Sequence, residues 1–211
     1  PVHSGCDLHY MKSCLDLQKE CLLHNVNITF QIIAGAFYTL VVYYVGTFNP
    51  NHFIMRDFPD PSFHYSNNEQ YVDSLNQCID KIESTITRNN HIPRDMIIAQ
   101  SVLETGWGES DLAKDSNNLF GIKAFSNKVP HRHAKENTDV MYRVFLSKCD
   151  SVKEYYRLLN THEAYFKFRK YRTNALMNNK VVSPIVAVKT MDKYSETPDY
   201  ADRVIRIIKE L

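Results

Sequence analysis

The sequence predicts a mainly helical α+β chain that carries one small β-hairpin and is preceded by a single transmembrane helix. After residue 68, apolar residues such as Tyr71, Leu75 and Ile79 recur at the spacing of an amphipathic helix. Between residues 140 and 145 the pattern changes to the alternation that is typical of a strand. Residues 21–55 contain no charged side chain, although 23% of the whole chain is charged.

Composition excludes several classes of protein. With 211 residues, the chain has room for one medium-sized domain and an appendage. Lys and Arg total 25 against 24 for Asp and Glu, and a net charge of +1 argues against nucleic acid as a partner, because phosphate binding needs a basic excess. The five cysteines contain no Cys-x-x-Cys pair, so the sequence supports neither a zinc ribbon nor a small disulfide scaffold.

The uncharged run predicts a membrane anchor over residues 25–48. Its apolar part, 28–48, has about the 20 residues that a helix needs to cross a bilayer. Tyr43 and Tyr44 near its end suit the interfacial aromatic belt. The alternative is a buried hairpin, because β-branched and aromatic residues dominate the run. A hairpin would be apolar on both faces, which favours the anchor.

The segments around this run complete the predicted domain organisation. Residues 1–24 predict an amphipathic segment, 49–68 a linker rich in Pro, Asn, Asp and Ser, and 69–211 a helical domain. Lys12 and Lys19 precede the run, which favours an N-terminus inside the cell and a C-terminal domain outside the cytoplasm.

Each element of the C-terminal domain is predicted from a periodic pattern together with a residue that begins or ends it. Helices are expected over about 69–89, from Pro93 to about Glu104 with a stop at Gly106, from a Ser151/Glu154 capping box, from Pro184, and after Thr197-Pro198. The alternation of residues 140–145, after the loop-like PHRHAKEN, predicts the hairpin.

One helix ends in a carboxyl group that could carry chemistry. The apolar run 96–103 leads into Glu104, and Gly-Trp-Gly follows at once. Apolar surroundings and the negative end of a helix both disfavour an ionised carboxylate, so we expect a raised pKa for Glu104. A carboxylic acid that stays protonated near neutral pH can protonate the leaving oxygen of a glycosidic bond. On spacing alone, a solvated glutamate is the commoner outcome.

Three ordered motifs resemble one family. IPRDMIIAQSVLETGWGESDLAKDSNNLFGIKAF, SVKEYYRLLNTHEAYFKFRKYR and KYSETPDYADRVIRII resemble the glucosaminidase family, glycoside hydrolase family 73 of the lysozyme-like superfamily, in its Bax-like branch. The resemblance covers about residues 70–211. It implies a lysozyme-like helical lobe with a small β-hairpin beside a cleft. It also implies hydrolysis of cell-wall peptidoglycan at the β-1,4 N-acetylglucosaminyl bond, with Glu104 as general acid.

The resemblance also implies roles for residues around the cleft. Tyr194 matches the family's motif tyrosine and is expected to line the cleft, its alternative being a core tyrosine under the last helix. Trp107 could stack on a sugar, although a role in fixing the helix end is favoured. Asn117, Asn118 and Phe120 are expected to shape the cleft floor, since amides suit sugar hydroxyl and acetamido groups; turn chemistry is the alternative.

The second catalytic group is left open. Inverting glycosidases need a base at about 6.5–9.5 Å from the acid, and retaining ones a nucleophile at about 5 Å. Glu136 in the predicted hairpin is the preferred candidate and Asp139 the fallback. Assistance by the 2-acetamido group of the substrate would make a protein nucleophile unnecessary.

No cofactor and no metal is expected. His131 and His133 have the spacing of a metal-binding pair, but no third ligand stands near them in the sequence. The expected partners are peptidoglycan strands and, through residues 25–48, a lipid bilayer. The expected location is a bacterial cell envelope, with a phage-encoded or virion-associated protein as a variant.

Two other classes of function stay open. One is a lytic transglycosylase or muramidase that acts on the same polymer. The other is a non-catalytic glycan-binding or structural protein of an envelope or phage particle.

Overall fold

The computed structural model of the protein describes residues 59–135 and 137–211. These ranges are mainly helical with one small sheet, which confirms that part of the predicted fold class. In chain order the elements are α1 (Asn68–Glu83), α2 (Arg94–Thr105), α3 (Asp111–Ser116), β1 (His131–His133), β2 (Met141–Arg143), α4 (Lys148–Thr161), α5 (Phe166–Met177), α6 (Pro184–Lys189) and α7 (Tyr200–Glu210), with 3₁₀ turns at Arg88–Asn90 and Glu163–Tyr165.

The predicted membrane anchor, residues 25–48, lies outside the described residues, as does the amphipathic segment 1–24. Among the helices of residues 59–135 and 137–211, none is long and apolar enough to cross a bilayer. The anchor therefore stays a prediction of the sequence.

The described part of the predicted linker, from residue 59 onward, packs against the helices. Asp60 forms an ion pair with Lys153 of α4 at 2.5 Å. The ring of Tyr65 meets that of Tyr71 edge-on at 5.1 Å, and its hydroxyl donates to the Gly108 carbonyl at 2.8 Å. This stretch thus belongs to the domain and is not a free connection.

Helix α2 occupies the centre of the domain and contacts α1, α6 and α7. Its side chains are buried on almost every side, including the polar Gln100 and Ser101. The helix begins directly after Pro93, which precedes the first turn and does not occupy it. It ends at Gly106, whose φ of 57° lies in the left-handed region that glycine adopts without penalty.

Helix α1 ends earlier than predicted, at Glu83 and not near residue 89. The hydroxyls of Ser84 and Thr85 donate to the carbonyls of Lys81 and Ile82 at 2.7 and 2.8 Å. Such local bonds compete with the helical ones and explain the early end.

Helix α4 begins a turn before the predicted position, and the capping box of Ser151 and Glu154 is wrong. Ser147 and Asp150 form the capping box instead. Ser151 is buried within the helix, where its hydroxyl donates to the Lys148 carbonyl at 2.7 Å. The sequence contains two similar patterns here, and burial selects the earlier one.

The last two helices begin near their predicted positions. Pro184 occupies the first turn of α6, with the Ser183 side chain as its cap. Helix α7 begins at Tyr200, whose N–H donates to the Thr197 carbonyl at 3.1 Å.

The two strands form an antiparallel hairpin in which Arg132 lies opposite Tyr142. Strand β1 falls inside PHRHAKEN, which was predicted as loop. On its other side, β2 bonds to the segment after α3: the Arg143 N–H donates to the Ile122 carbonyl at 2.9 Å, and the Ala124 N–H to the Met141 carbonyl at 2.8 Å. The hairpin is thereby fixed to the turn that follows α3.

A disulfide joins Cys78 of α1 to Cys149 of α4, across 71 residues of chain. Each of the two residues is only 1% exposed. The sequence did not predict this pairing, because cysteine spacing does not determine which partners meet in a fold. The bond links two helices of the core and restricts the unfolded chain.

Replacing both cysteines by serine should lower the free energy of unfolding by about 4 kcal/mol, the loop-closure contribution for a loop of this length. Urea unfolding followed by circular dichroism measures this loss. A thiol reductant should destabilise the wild type to a similar extent and leave the Cys78→Ser/Cys149→Ser variant unchanged. An equal response of both proteins to the reductant would contradict the prediction.

Candidate active site

Glu104 lies in the last turn of α2 and is partly buried. Its Oε1 accepts a hydrogen bond at 3.0 Å from the hydroxyl of Tyr200, the first residue of α7. Its Oε2 faces the backbone of Gly121, where an added Cβ would lie 3.1 Å from that oxygen. The carboxyl group is thus held between the end of one helix, the start of another and the turn after α3.

Burial raises the pKa of Glu104, because loss of water disfavours the ionised carboxylate. Two groups oppose this rise. The Tyr200 hydroxyl stabilises the charge through its hydrogen bond, and the Arg203 guanidinium attracts it. The net direction is the one that the sequence predicts, so the group keeps its proton to a higher pH than a solvated glutamate does.

An aromatic cluster contacts this carboxyl group through Tyr200. The cluster consists of Phe120, Tyr155, Tyr165, Tyr194 and Tyr200. The rings of Tyr194 and Tyr200 stack at 5.3 Å, and those of Phe120 and Tyr155 at 4.2 Å. Tyr194 also meets Tyr155 and Tyr165 at 6.3 and 6.2 Å. The cluster gives the carboxyl an environment of low polarity.

The position of Tyr194 has features of both roles that the sequence left open, a residue that lines the cleft and a core residue under the last helix. It is partly exposed, and its ring packs on Tyr200, which contacts Glu104 directly. Its hydroxyl donates to the Phe120 carbonyl at 3.0 Å and so is engaged within the fold. Burial raises the pKa of this phenol well above its usual value. A cleft role for Tyr194 stays a prediction.

Asn118 serves the turn after α3. Its Nδ2 donates to the carbonyls of Ile122 and Arg143 at 2.9 and 3.0 Å, and its Oδ1 accepts from the N–H groups of Phe120 and Ile122 at 3.3 and 3.0 Å. The residue is 0% exposed, and these bonds use its full capacity. No group is left for a sugar, so turn chemistry describes Asn118 and not the expected glycan contact.

Asn117 and Phe120 also contribute to the packing of the segment that follows α3. Asn117 ends α3 in the left-handed region, at φ 52°, and its Nδ2 donates to the carbonyls of Phe145 and Leu146 at 3.1 and 3.2 Å. Phe120 is 2% exposed, so its ring lies in the core and not on an open cleft floor. Asn117 is partly exposed and is the one of the three that a glycan could still touch.

Trp107 stands between two glycines in a turn where all three residues have positive φ, with 62° at the tryptophan. A bulky residue in this region is strained and persists only where its packing compensates. The indole packs edge-on against Tyr71 at 6.2 Å and is partly buried. This contact supports the favoured role of Trp107 in fixing the helix end.

Of the two candidates for a second acid, the structure describes Asp139. Glu136 lies outside the described residues. Asp139 is exposed in the turn between β1 and β2, where its N–H donates to the Asn137 side chain at 3.0 Å. A catalytic role for Glu136 or Asp139 therefore remains a prediction of the sequence.

The histidine pair of β1 is engaged with the backbone of its own hairpin. The rings of His131 and His133 are 5.6 Å apart, and the Nδ1 atoms pair with the carbonyls of Val129 and Thr138 at 2.8 and 2.5 Å. Within the described ranges, no group of three or more His, Cys, Asp and Glu side chains is placed to hold a metal ion.

Sequence reasoning missed the groups that hold the acid. Tyr200 and Gly121 lie within the motifs that resemble the glucosaminidase family, but neither was predicted to contact the carboxyl group. Two further polar groups, Gln100 and Tyr155, are buried behind Tyr200. The available signal was the polar Gln100, which follows the apolar residues 96–99 on the same helix.

Comparisons with known proteins show which family the chain resembles. Residues 83–211 match the family described as glucosaminidase, mannosyl-glycoprotein endo-beta-N-acetylglucosaminidase. Protein bax of Escherichia coli (strain K12) is 34% identical over 110 residues, which are 52% of this chain and 39% of that protein. Peptidoglycan hydrolase FlgJ of Vibrio cholerae is 28% identical over 159 residues, which are 69% of this chain and 44% of that protein. The chain thus spans less than half the length of these relatives.

A solved structure has a similar fold. The glycoside hydrolase domain of FlgJ from Salmonella typhimurium gives a TM-score of 0.50 at 23% identity, over 69% of this chain and 88% of that domain. At this identity the likeness concerns the fold alone. It agrees with the helical lobe and small sheet that the glucosaminidase resemblance implies.

Replacing Gly121 by alanine should disturb the carboxyl group of Glu104. The φ of 62° at Gly121 disfavours any side chain, and the new methyl group would lie 3.1 Å from Oε2, so Glu104 must shift. We expect a loss of about 1 kcal/mol in the free energy of unfolding from the backbone. A further change in the pKa of Glu104 is expected, measured by carbon NMR titration of its carboxyl group.

Gly106→Ala is the matched control, because its φ of 57° is similar while nothing lies within 4 Å of the added methyl group. Both variants should lose similar stability, and only Gly121→Ala should change the Glu104 titration. A changed titration in both variants would mean that backbone strain, and not the contact, is responsible.

Proposed function

The chain belongs to the glucosaminidase family of glycoside hydrolases, and from this premise we propose that it cleaves bacterial peptidoglycan at the β-1,4 N-acetylglucosaminyl bond. Glu104 is the proposed general acid. The observation that carries the proposal is a partly buried carboxyl group with a raised pKa, one oxygen of which is held by Tyr200. The choice of peptidoglycan is supported by the relative that is named a peptidoglycan hydrolase.

In the proposed reaction, Glu104 donates its proton to the glycosidic oxygen as the bond to the sugar carbon breaks. The electron pair of that bond stays with the leaving oxygen, and the sugar develops positive charge. The raised pKa keeps the proton available to a higher pH than in a solvated glutamate. The carboxylate that remains is stabilised by the Tyr200 hydroxyl and by Arg203, so the group need not recapture the proton at once.

The second group of the reaction stays with the candidates named from the sequence. Glu136 is preferred and Asp139 is the fallback, and assistance by the substrate's acetamido group is the alternative. Glu136→Gln and Asp139→Asn together separate these routes, since the variant that lacks the base or nucleophile would be inactive, while substrate assistance would leave both variants active.

The proposed location is the cell envelope, with the C-terminal domain outside the cytoplasm. Disulfides persist in oxidising compartments, so the Cys78–Cys149 bond supports this placement. The predicted anchor at residues 25–48 would hold the domain near the cell wall.

Glu104→Gln should reduce the release of soluble fragments from purified peptidoglycan by about 10²- to 10⁴-fold, the usual contribution of a general acid. Glutamine keeps the shape of the side chain and an acceptor for Tyr200 but holds no acidic proton. Glu109→Gln is the matched control, because Glu109 is exposed and pairs with Lys114 on the surface. Equal activity of wild type and Glu104→Gln would refute the acid, and an inert wild type would favour the non-catalytic alternative.

The sugar ends released by the wild type identify the bond. After borohydride reduction, N-acetylglucosaminitol ends are expected in mass spectra. Reduced muramic ends would identify a muramidase, and 1,6-anhydro ends would identify a lytic transglycosylase.

The stability of Glu104→Gln should depend on pH in a defined direction. The folded-state pKa of Glu104 lies above its unfolded value, so its contribution to stability is present below about pH 4 and is lost as pH rises through the folded pKa. The variant should therefore gain stability relative to wild type between pH 4 and pH 8. Urea unfolding at the two pH values measures the difference, and no change between them would contradict the raised pKa.

A further inference from the structure

Four side chains form one buried hydrogen-bonded chain that ends at Glu104. The Tyr155 hydroxyl donates to Gln100 Oε1, and Gln100 Nε2 donates to the Tyr200 hydroxyl at 3.1 Å. The Tyr200 hydroxyl donates to Glu104 Oε1 at 3.0 Å. Tyr155, Gln100 and Tyr200 are 1%, 0% and 8% exposed, so the two hydrogen bonds of Gln100 are shielded from water.

These hydrogen bonds all run in one direction, from donor to acceptor, because Gln100 in the middle of the series is an amide. An amide nitrogen only donates and an amide oxygen only accepts. With Nε2 of Gln100 turned towards Tyr200, the phenol oxygen accepts from the amide, and its single proton is free to go to Glu104.

Tyr155 prevents the amide from reversing. The Tyr155 hydroxyl donates to Gln100 Oε1, and both side chains are buried. A reversed amide would present the donor Nε2 to the Tyr155 hydroxyl and break this buried hydrogen bond, which costs free energy. The reversed chain would also draw the Tyr200 proton towards Gln100 and away from Glu104.

We propose that Gln100 and Tyr155 are positioning residues, which keep the Tyr200 proton on Glu104 Oε1 and so reserve Oε2 as the oxygen that delivers the catalytic proton. This inference rests on the proposed function of Glu104 as general acid. Because Oε1 accepts a bond in both charge states, the acidic proton is carried by Oε2, which faces Gly121. When the O–H bond at Oε2 breaks, the proton passes to the glycosidic oxygen, and the Tyr200 bond strengthens against the new negative charge.

Other groups around Glu104 act on its charge without fixing the direction of the chain. Arg203 of α7 attracts the carboxylate. Tyr155 of α4 and Tyr194, which precedes α7, lie near enough to interact with that charge. A variant that removes only the Tyr155 hydroxyl leaves Arg203 and Tyr194 in place.

Tyr155→Phe is the direct test, because phenylalanine keeps the stacking on Phe120 and removes only the donor to Gln100. The amide can then reverse, and protonated Glu104 can donate to Tyr200 from Oε1. We expect the pKa of Glu104 in the NMR titration to rise, and the alkaline limb of the activity profile to move to higher pH. The kcat on peptidoglycan fragments should fall about tenfold, the effect of one hydrogen bond, with KM unchanged.

Tyr156→Phe is the matched control. Tyr156 is the next residue of α4 and is 0% exposed, and its hydroxyl donates to Glu83 at 2.8 Å, outside the chain. This variant should change stability alone. Gln100→Met breaks the chain at its centre, and the double variant Tyr155→Phe/Gln100→Met should lose no more kcat than Gln100→Met does.

An unchanged Glu104 titration and an unchanged kcat in folded Tyr155→Phe would overturn the inference, as would additive losses in the double variant. Failure of the proposed function gives a different result. Glu104→Gln would then retain activity. The NMR titration of Tyr155→Phe would still show whether the hydrogen bonds from Tyr155 to Glu104 run in the proposed direction.

Discussion

The placement of a single carboxyl group, that of Glu104, at the C-terminal end of a buried helix is the constraint on which the rest of the domain depends. Desolvation and the negative end of the helix both oppose its charge, so the position costs stability wherever the group is ionised. This destabilising position is found where α7 contacts α2, and there the Tyr200 hydroxyl donates to the carboxyl group. An unfavourable group that is held so closely is typical of functional sites, where stability is exchanged for activity.

The same constraint accounts for the completeness of the polar bonding around the carboxyl group. Asn118 uses its full hydrogen-bonding capacity to fix the turn that brings Gly121 against Oε2. Gln100 and Tyr155 support Tyr200 from the other side. Buried polar networks add rigidity only if each member is satisfied, and here the members meet that condition. The carboxyl group is therefore held through Oε1 by Tyr200, while Oε2 lies beside the turn at Gly121.

Much of the helical domain was readable from the sequence because its information is local. The apolar period of α1, the Gly106 stop of α2 and the Pro184 start of α6 each lie within a few residues of the feature that they define. The wrong predictions arose where tertiary burial chose between local options, as at the capping box of α4, which uses Ser147 and not Ser151. The disulfide was unreadable for a related reason, since its partners are 71 residues apart and nothing local links them.

The candidate site also combines features that are local in the sequence with features that depend on tertiary contacts. Glu104 was readable because an apolar helix that ends in a carboxyl group is a local pattern, and the resemblance to glucosaminidases gave it a role. The groups that control its proton come from elsewhere: Tyr155 lies 55 residues from its amide partner Gln100, and Tyr200 lies 96 residues from Glu104. A hydrogen bond between such distant residues has no sequence signal, and its direction depends on an amide that only the packed core can orient. The sequence therefore predicts the candidate acid, whereas the oxygen proposed to carry its proton depends on contacts between α2, α4 and α7.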